Sequence, residues 1–360
     1  MINGIIVPSL TFFKKDFEID VELNSILTRH ILLNRANAIY LFGTTGEGIF
    51  FADNLEVKIE YINLVSAIND KTPLLLGAFG NQIEDVINQI EILGKKFPNL
   101  NFFIAPPFSK KIPIDELTFY FENILSSLNV TNNIFLYHNP EIFFGNEINP
   151  KIVQDLRQFH NLRGIKDASN KISNYKAYIE LLSENFSVFC GDESRFSIFL
   201  QLIPLDLRKF AGLVPSTGNL VNLCSALYNA ALKDNVLEQT QLQEQLNDII
   251  NRIYDAKINE GKVQRGLKYA FLYLYKDLLK IPIEDLNYVS PPFQRELDDT
   301  TKTRIEATIN YLLNQKFIYQ LFSLTKGEIY DLKDMINIFS EFVPLGGTIS
   351  KILINTFSKF

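Results

Sequence analysis

Short apolar runs bounded by turn residues recur eight times before residue 220, with stretches of helical spacing between them. They begin near Gly4 (GIIVPSLTFF), Ala38 (AIYLFG), Pro73 (PLLLGAF), Asn101 (NFFIAPPF), Asn133 (NIFLYHNP), Leu162 (LRGIKDAS), Phe186 (FSVFCGDE) and Phe210 (FAGLVPSTG). Successive starts lie roughly 24 to 35 residues apart, the length of one strand, one helix and two loops. That rhythm argues for βαβ units on a parallel sheet, and eight of them predict an α/β fold of the closed (β/α)8 TIM barrel type. Intervening segments such as 54–68, 83–96 and 115–128 place apolar residues three and four apart, as amphipathic outer helices should.

After the eighth run the strand signal stops. Segments 220–233, 238–254 and 262–279 read as consecutive helices, then Ser290-Pro291-Pro292 breaks the pattern and 301–315 resumes it. The expected organisation is a barrel over 1–220, a C-terminal helical appendage packed on it over 221–315, and an extra helical extension over 316–360. That extension has helical pattern around 329–342 and 348–357, separated by Pro344 and Gly346-Gly347, and nothing in it names a role. No linker cuts out a second globular domain.

Composition removes several function classes. The 360 residues carry 35 Lys+Arg against 41 Asp+Glu, a net charge of −6, so no basic field is available for nucleic acid or an anionic membrane. Two cysteines, Cys190 and Cys224, and three histidines cannot build a Cys/His zinc cluster or a multi-bridge disulfide framework, so no metal is expected and a reducing compartment is. The start lacks a basic n-region, contains Pro8 and runs into Lys14-Lys15, the wrong charge order for a secretory signal. No apolar run approaches a membrane span. The expected location is cytoplasmic.

In a (β/α)8 barrel the reactive groups sit where the strands end and the βα loops converge. The second strand ends in Gly43-Thr44-Thr45-Gly46-Glu47-Gly48, the fifth in Tyr137-His138-Asn139-Pro140, the sixth in Lys166-Asp167-Ala168-Ser169, the seventh in Gly191-Asp192-Glu193, and the eighth in Pro215-Ser216-Thr217-Gly218. GTTGEG has neither the dinucleotide order G-x-G-x-x-G nor a P-loop ending. Its converging backbone N–H groups and two hydroxyls suit a small carboxylate, but the motif alone reads first as a strand-to-helix turn in which Thr44 or Thr45 is a local cap. A lysine drawn to a dry barrel mouth is desolvated, which favours the neutral amine that attacks ketones; the alternative is a solvated lysine paired with Asp167. Tyr137 lies 29 residues before Lys166, about one βα unit, so the two fall on neighbouring strands, where a phenol can relay protons or simply pack as a rim aromatic. His138 points out of the barrel if Tyr137 points in, and Cys190 reads as a small buried hydrophobe.

Taken together, the GTTGE turn, Tyr-His-Asn-Pro, Gly-Ile-Lys-Asp-Ala-Ser and Cys-Gly-Asp-Glu resemble, in order and spacing, the N-acetylneuraminate lyase / dihydrodipicolinate synthase family of pyruvate-handling class I aldolases. The resemblance runs from about Gly4 to Gln315 and includes the first strand, the late helix at 267–272 (LKYAFL) and the Ser290-Pro291-Pro292 lead into the last helix. It implies a barrel with C-terminal helices, assembled as a homo-oligomer, dimer or tetramer, and a lyase that makes or breaks a C–C bond between pyruvate and an aldehyde. Lys166 is the implied Schiff-base lysine, Tyr137 the proton shuttle, and Thr44 and Thr45 the carboxylate binders, Thr45 also standing with the catalytic group. Val214 is implied to offer its main-chain carbonyl to the pyruvate unit, and Asp192 and Glu193 to contact hydroxyls of a polyol tail, although an acidic pair there also fits helix capping. No organic cofactor is implied, because the lysine imine is itself the electron sink.

Departures from the family bear on the second substrate. Pro106-Pro107-Phe108-Ser109 stands where the synthases carry a Pro-Tyr-Tyr run, so Phe108 replaces the tyrosine a neighbouring subunit lends to the relay. The arginine that follows Tyr-Asn-x-Pro is absent, since Pro140 is followed by Glu141-Ile142-Phe143-Phe144-Gly145, and Ala168 takes the place of the sialic acid lyases' threonine. Phe108, Phe143 and Phe144 can make the outer pocket apolar. Open alternatives are a dihydrodipicolinate-synthase-like condensation, a 2-oxo acid hydro-lyase, and a barrel without turnover that senses a 2-oxo acid or serves as an assembly partner.

Overall fold

Each apolar run forms one strand: β1 (Gly4–Pro8), β2 (Ala38–Leu41), β3 (Leu74–Ala78), β4 (Asn101–Ile104), β5 (Ile134–His138), β6 (Leu162–Asp167), β7 (Ser187–Cys190) and β8 (Ala211–Leu213). All neighbours pair in parallel, and β8 returns to β1, with Gly4 opposite Gly212, to close the barrel. The computed structural model describes residues 2–314 apart from 70, 256–260, 278, 280, 281, 292, 293 and 295, so the expected extension over 316–360 lies outside the described residues.

The outer helices are α1 (Val21–Leu33), α2 (Leu55–Ile68), α3 (Ile83–Lys96), α4 (Ile114–Ser127), α5 (Pro150–Leu156), α6 (Ile172–Ile179), α7 (Phe196–Leu202) and α8 (Leu223–Leu232). Three more follow, α9 (Val236–Ile253), α10 (Lys262–Leu274) and α11 (Asp299–Asn314). Helices α5 to α7 are only seven or eight residues long, about two turns each. Helix α10 stops five residues before the expected 279, because Leu279 packs on the same core from outside the helix and so prolongs the apolar spacing past its end. Asparagines do much of the local pinning. Asn54, Asn149 and Asn235 cap α2, α5 and α9, each accepting from a backbone N–H in the first turn. Asn219 ties the end of β8 to the end of β1, accepting from Leu10 N at 2.9 Å and donating to Pro8 O at 2.8 Å.

Two apolar cores result. One lies between the sheet and the helices; the other fills the barrel with Ile6, Tyr40, Leu75, Phe103, Phe135 and Phe189. Aromatic rings of this size fit inside only beside residues without side chains: a Cβ on Gly164 would come within 3.0 Å of the Phe135 ring. Phe103 touches Tyr40 and Phe135 with centroids 4.6 and 5.5 Å apart, so the floor beneath the mouth is a tilted aromatic stack.

The appended helices reach the barrel through a buried imidazole. His30 of α1 is fully buried, its Nδ1 2.6 Å from the Tyr275 hydroxyl at the end of α10 and its Nε2 3.1 Å from Leu220 O. Burial drives its pKa down from 6.5 to about 4, so the folded protein holds it neutral where the unfolded chain accepts a proton. Its contribution is intact above pH 6.5 and is lost as pH falls toward 4. From this group alone, unfolding free energy should drop by about 2 kcal/mol between pH 7 and pH 5. Urea titrations at the two pH values check this, and His30→Gln should flatten the difference.

Candidate active site

Lysine and phenol meet because the register of β5 on β6 sets Tyr137 opposite Lys166. Lys166 is only 4% exposed, and its Nζ rests 3.9 Å from the centroid of the Tyr137 ring and 5.6 Å from that of Tyr40. Among the described residues no carboxylate lies within ion-pair distance of that amine. Asp167, the partner considered from sequence, turns to the outer face, where its Oδ1 is 3.1 Å from His138 Nδ1. Strand alternation has thus sorted the two dipeptides: Tyr137 and Lys166 face the mouth, His138 and Asp167 the helices. Space for the lysine stem comes from Gly191, where a Cβ would sit 2.8 Å from Lys166 Cε.

The Tyr137 hydroxyl is 2.9 Å from Thr44 Oγ1 and accepts from Asn139 Nδ2 at 3.2 Å. Its ring is held edge-on by Phe143, at 5.4 Å and 85°. Thr45 Oγ1 lies 2.7 Å from Ser216 Oγ at the end of the eighth strand. So both threonines of the turn are engaged at the mouth, Thr44 with the phenol and Thr45 with Ser216. Val214 is 2% exposed in the interior cluster, its N–H bonded to Cys190 O at 2.9 Å. Phe108 is half-buried against that cluster, with its N–H on Asn81 Oδ1 at 2.9 Å. Phe143 is buried, whereas Phe144 is exposed. Cys190 is buried beside the Tyr175 hydroxyl at 3.4 Å, and burial pushes its thiol up, away from any nucleophilic role.

The acidic pair is occupied by the protein itself. Asp192 caps the turn that follows it, accepting from Ser194 N at 3.1 Å, and its Oδ2 lies 3.4 Å from Arg195 Nε. Glu193 is buried and accepts from Ser216 N at 2.9 Å, Thr217 N at 3.0 Å, the Thr217 hydroxyl and the Tyr254 hydroxyl at 2.6 Å. Burial raises its pKa, and those donors, led by Thr217, pull it back. Asp192 thus caps the following turn, while Glu193 latches the eighth strand end to the segment after α9. Glu193→Leu strands several buried donors and should cost about 3 kcal/mol of unfolding free energy, read by urea titration.

Asn139, Ser216 and Gln264 bond to Tyr137, Thr45 and the Thr44 carbonyl respectively, and sequence alone does not single them out. The first two sit on strand ends already read for chemistry. Gln264, whose Nε2 donates to Thr44 O at 2.7 Å, comes from α10, 220 residues away, and carries no local signal. Among the described residues no group of three His, Cys, Asp or Glu is placed to hold a metal, and no helix is long and apolar enough to cross a membrane.

Comparison with known proteins agrees with this layout. The sequence profile described as "Dihydrodipicolinate synthetase family" matches residues 1–287. The chain is 29% identical over 204 residues to the 4-hydroxy-tetrahydrodipicolinate synthase of Wigglesworthia glossinidia brevipalpis, covering 56% of this chain and 66% of that one. It is 26% identical over 185 residues to the 2-dehydro-3-deoxy-D-gluconate/2-dehydro-3-deoxy-phosphogluconate aldolase of Picrophilus torridus, covering 51% of this chain and 66% of the other. Each match thus spans just under two thirds of the relative's length. The solved dihydrodipicolinate synthase of Bacteroides thetaiotaomicron superposes with a TM-score of 0.72 at 25% identity, over 86% of this chain and 99% of that one.

Proposed function

Because the chain belongs to the dihydrodipicolinate synthetase family, we propose that it is a Schiff-base-forming lyase that makes or breaks a C–C bond between pyruvate and an aldehyde at Lys166. The observation that carries this reading is the buried Lys166 amine over the Tyr137 ring, whose hydroxyl bonds to Thr44 of the hydroxyl-rich turn.

The chemistry follows from those atoms. Thr44, Thr45 and their backbone amides receive the carboxylate of a 2-oxo acid, setting its C2 against Lys166 Nζ. The neutral amine attacks C2, and Tyr137 hands the developing alkoxide a proton. Loss of water then gives the iminium. In the cleavage direction, the C3–C4 pair of electrons flows into the iminium as the C4 hydroxyl gives its proton to the Tyr137 phenolate left by the dehydration, releasing an aldehyde and leaving the enamine. Protonation of C3 and hydrolysis return pyruvate and the amine. The imine is the electron sink, so the cycle calls for no metal or organic cofactor. Val214 lends its carbonyl to the pyruvate unit, and Asp192 and Glu193 act through the scaffold. The working unit is a homo-oligomer in the cytosol, where the buried thiols of Cys190 and Cys224 stay reduced.

Deuterium exchange tests the first half without knowledge of the aldehyde. In D2O the methyl protons of pyruvate should wash out at a rate proportional to protein, followed by NMR. Absence of exchange above the buffer rate sinks the lyase reading and favours a barrel without turnover. Pyruvate release from a panel of 3-deoxy-2-oxo sugar acids and aromatic aldols then selects the second substrate.

A further inference from the structure

We propose that Glu47, Lys268 and Gln264 are positioning residues through which the appended helix α10 fixes the carboxylate-facing turn of residues 43–48, and so set how tightly a 2-oxo acid is held; the inference rests on the function proposed above. The turn is closed on itself by Gly48 N donating to Gly43 O at 2.9 Å and Glu47 N to Thr44 O at 3.2 Å. That geometry puts Glu47 at φ +58°, in the left-handed region that a side chain other than glycine adopts only when its surroundings impose it.

Helix α10 supplies what imposes it. Gln264 Nε2 donates to the same Thr44 carbonyl at 2.7 Å, one helical turn from Lys268, which ion-pairs with the Glu47 carboxylate. Both members of the pair are 0% exposed. The second Glu47 oxygen accepts from Ser290 N at 2.5 Å, and Lys268 Nζ donates to Tyr288 O at 2.7 Å and lies 4.1 Å from the centroid of Phe13. The turn is therefore gripped at Thr44, which touches Tyr137, and at Glu47, where the backbone is strained. An apolar pair of equal volume would fill the same space but would leave Ser290 N and Tyr288 O without these partners, and would lose the charge attraction that draws Glu47 inward. Among the described residues no hydrogen bond or ion pair joins any of the three side chains to Lys166 or Tyr137, so their effect reaches the chemistry through where the turn holds its donors.

The test uses the full chain and two ketones, pyruvate and acetone, each titrated while borohydride traps the lysine imine and the adduct is read by intact mass. Acetone lacks the carboxylate that the turn would hold. Lys268→Met should raise the pyruvate concentration for half-maximal trapping at least about tenfold, a loss equivalent to about 1.4 kcal/mol, and leave the acetone midpoint unchanged. The double variant Glu47→Gln/Lys268→Met, which leaves no unpaired buried charge, should keep a raised pyruvate midpoint. Gln264→Leu, which spares the ion pair, should shift pyruvate alone by roughly threefold. If Lys268→Met does not fold, Gln264→Leu decides. An unshifted pyruvate midpoint, or an equal loss for both ketones, overturns the proposal. Wild-type protein that traps neither ketone overturns the lyase function itself, whereas trapping by wild type with unshifted variants overturns only this inference.

Discussion

Lys166→Met should abolish turnover, lowering kcat by roughly 10^4-fold or more, the scale on which loss of a covalent nucleophile acts. Methionine matches the stem of lysine in length and apolar character, so it keeps the contacts beside Gly191 and over the Tyr137 ring while removing the only atom able to form the imine. It also relieves the burial of an amine that is 4% exposed and has no carboxylate partner among the described residues. The variant should therefore unfold at the same urea concentration as wild type or a higher one. Dead and stable is the expected pairing; dead and unfolded would say only that the barrel needs the side chain. Deuterium exchange into pyruvate should stop as well, since no enamine forms.

The second large effect belongs to Tyr137→Phe. The ring, its edge-on contact with Phe143 and the surface under Lys166 all remain, and only the hydroxyl that meets Thr44 and Asn139 is lost. Proton relay of this kind contributes typically 10^2- to 10^4-fold, so kcat should fall by about 10^3-fold while the KM for pyruvate changes by less than about tenfold. Imine trapping should still reach completion, slowly. A variant with full kcat would remove the phenol from the mechanism and leave Tyr137 as packing. Thr44, which shares that hydroxyl bond, would then have the carboxylate as its only role.

The barrel was legible because strand, helix and turn each leave a local mark, and the mark repeats eight times. The lysine–tyrosine pair was legible for the same reason: strand ends are predictable, and one βα unit of separation puts two residues on adjacent strands. What sequence does not carry is side-chain commitment across long separations. Glu193 reads as an acidic group beside the mouth, yet its oxygens are taken by Ser216, Thr217 and Tyr254, the last 61 residues away. Glu47 reads as part of a turn, and only the fold brings Lys268 and Ser290 to it. Phe108, weighed from sequence as the replacement of a relay phenol, packs half-buried against the interior cluster, so the Tyr137–Thr44 bond is the only phenol–threonine bond at the mouth among the described residues.

The central claim is an amine at residue 166 that captures a ketone. Incubation with pyruvate and borohydride, followed by intact mass and then proteolysis and peptide sequencing by mass spectrometry, tests it most directly. One reduced pyruvate adduct per chain, on the peptide containing Lys166 and absent from Lys166→Met, is the predicted result. A folded protein of unchanged mass, or an adduct spread over exposed lysines with residue 166 unmodified, would contradict it.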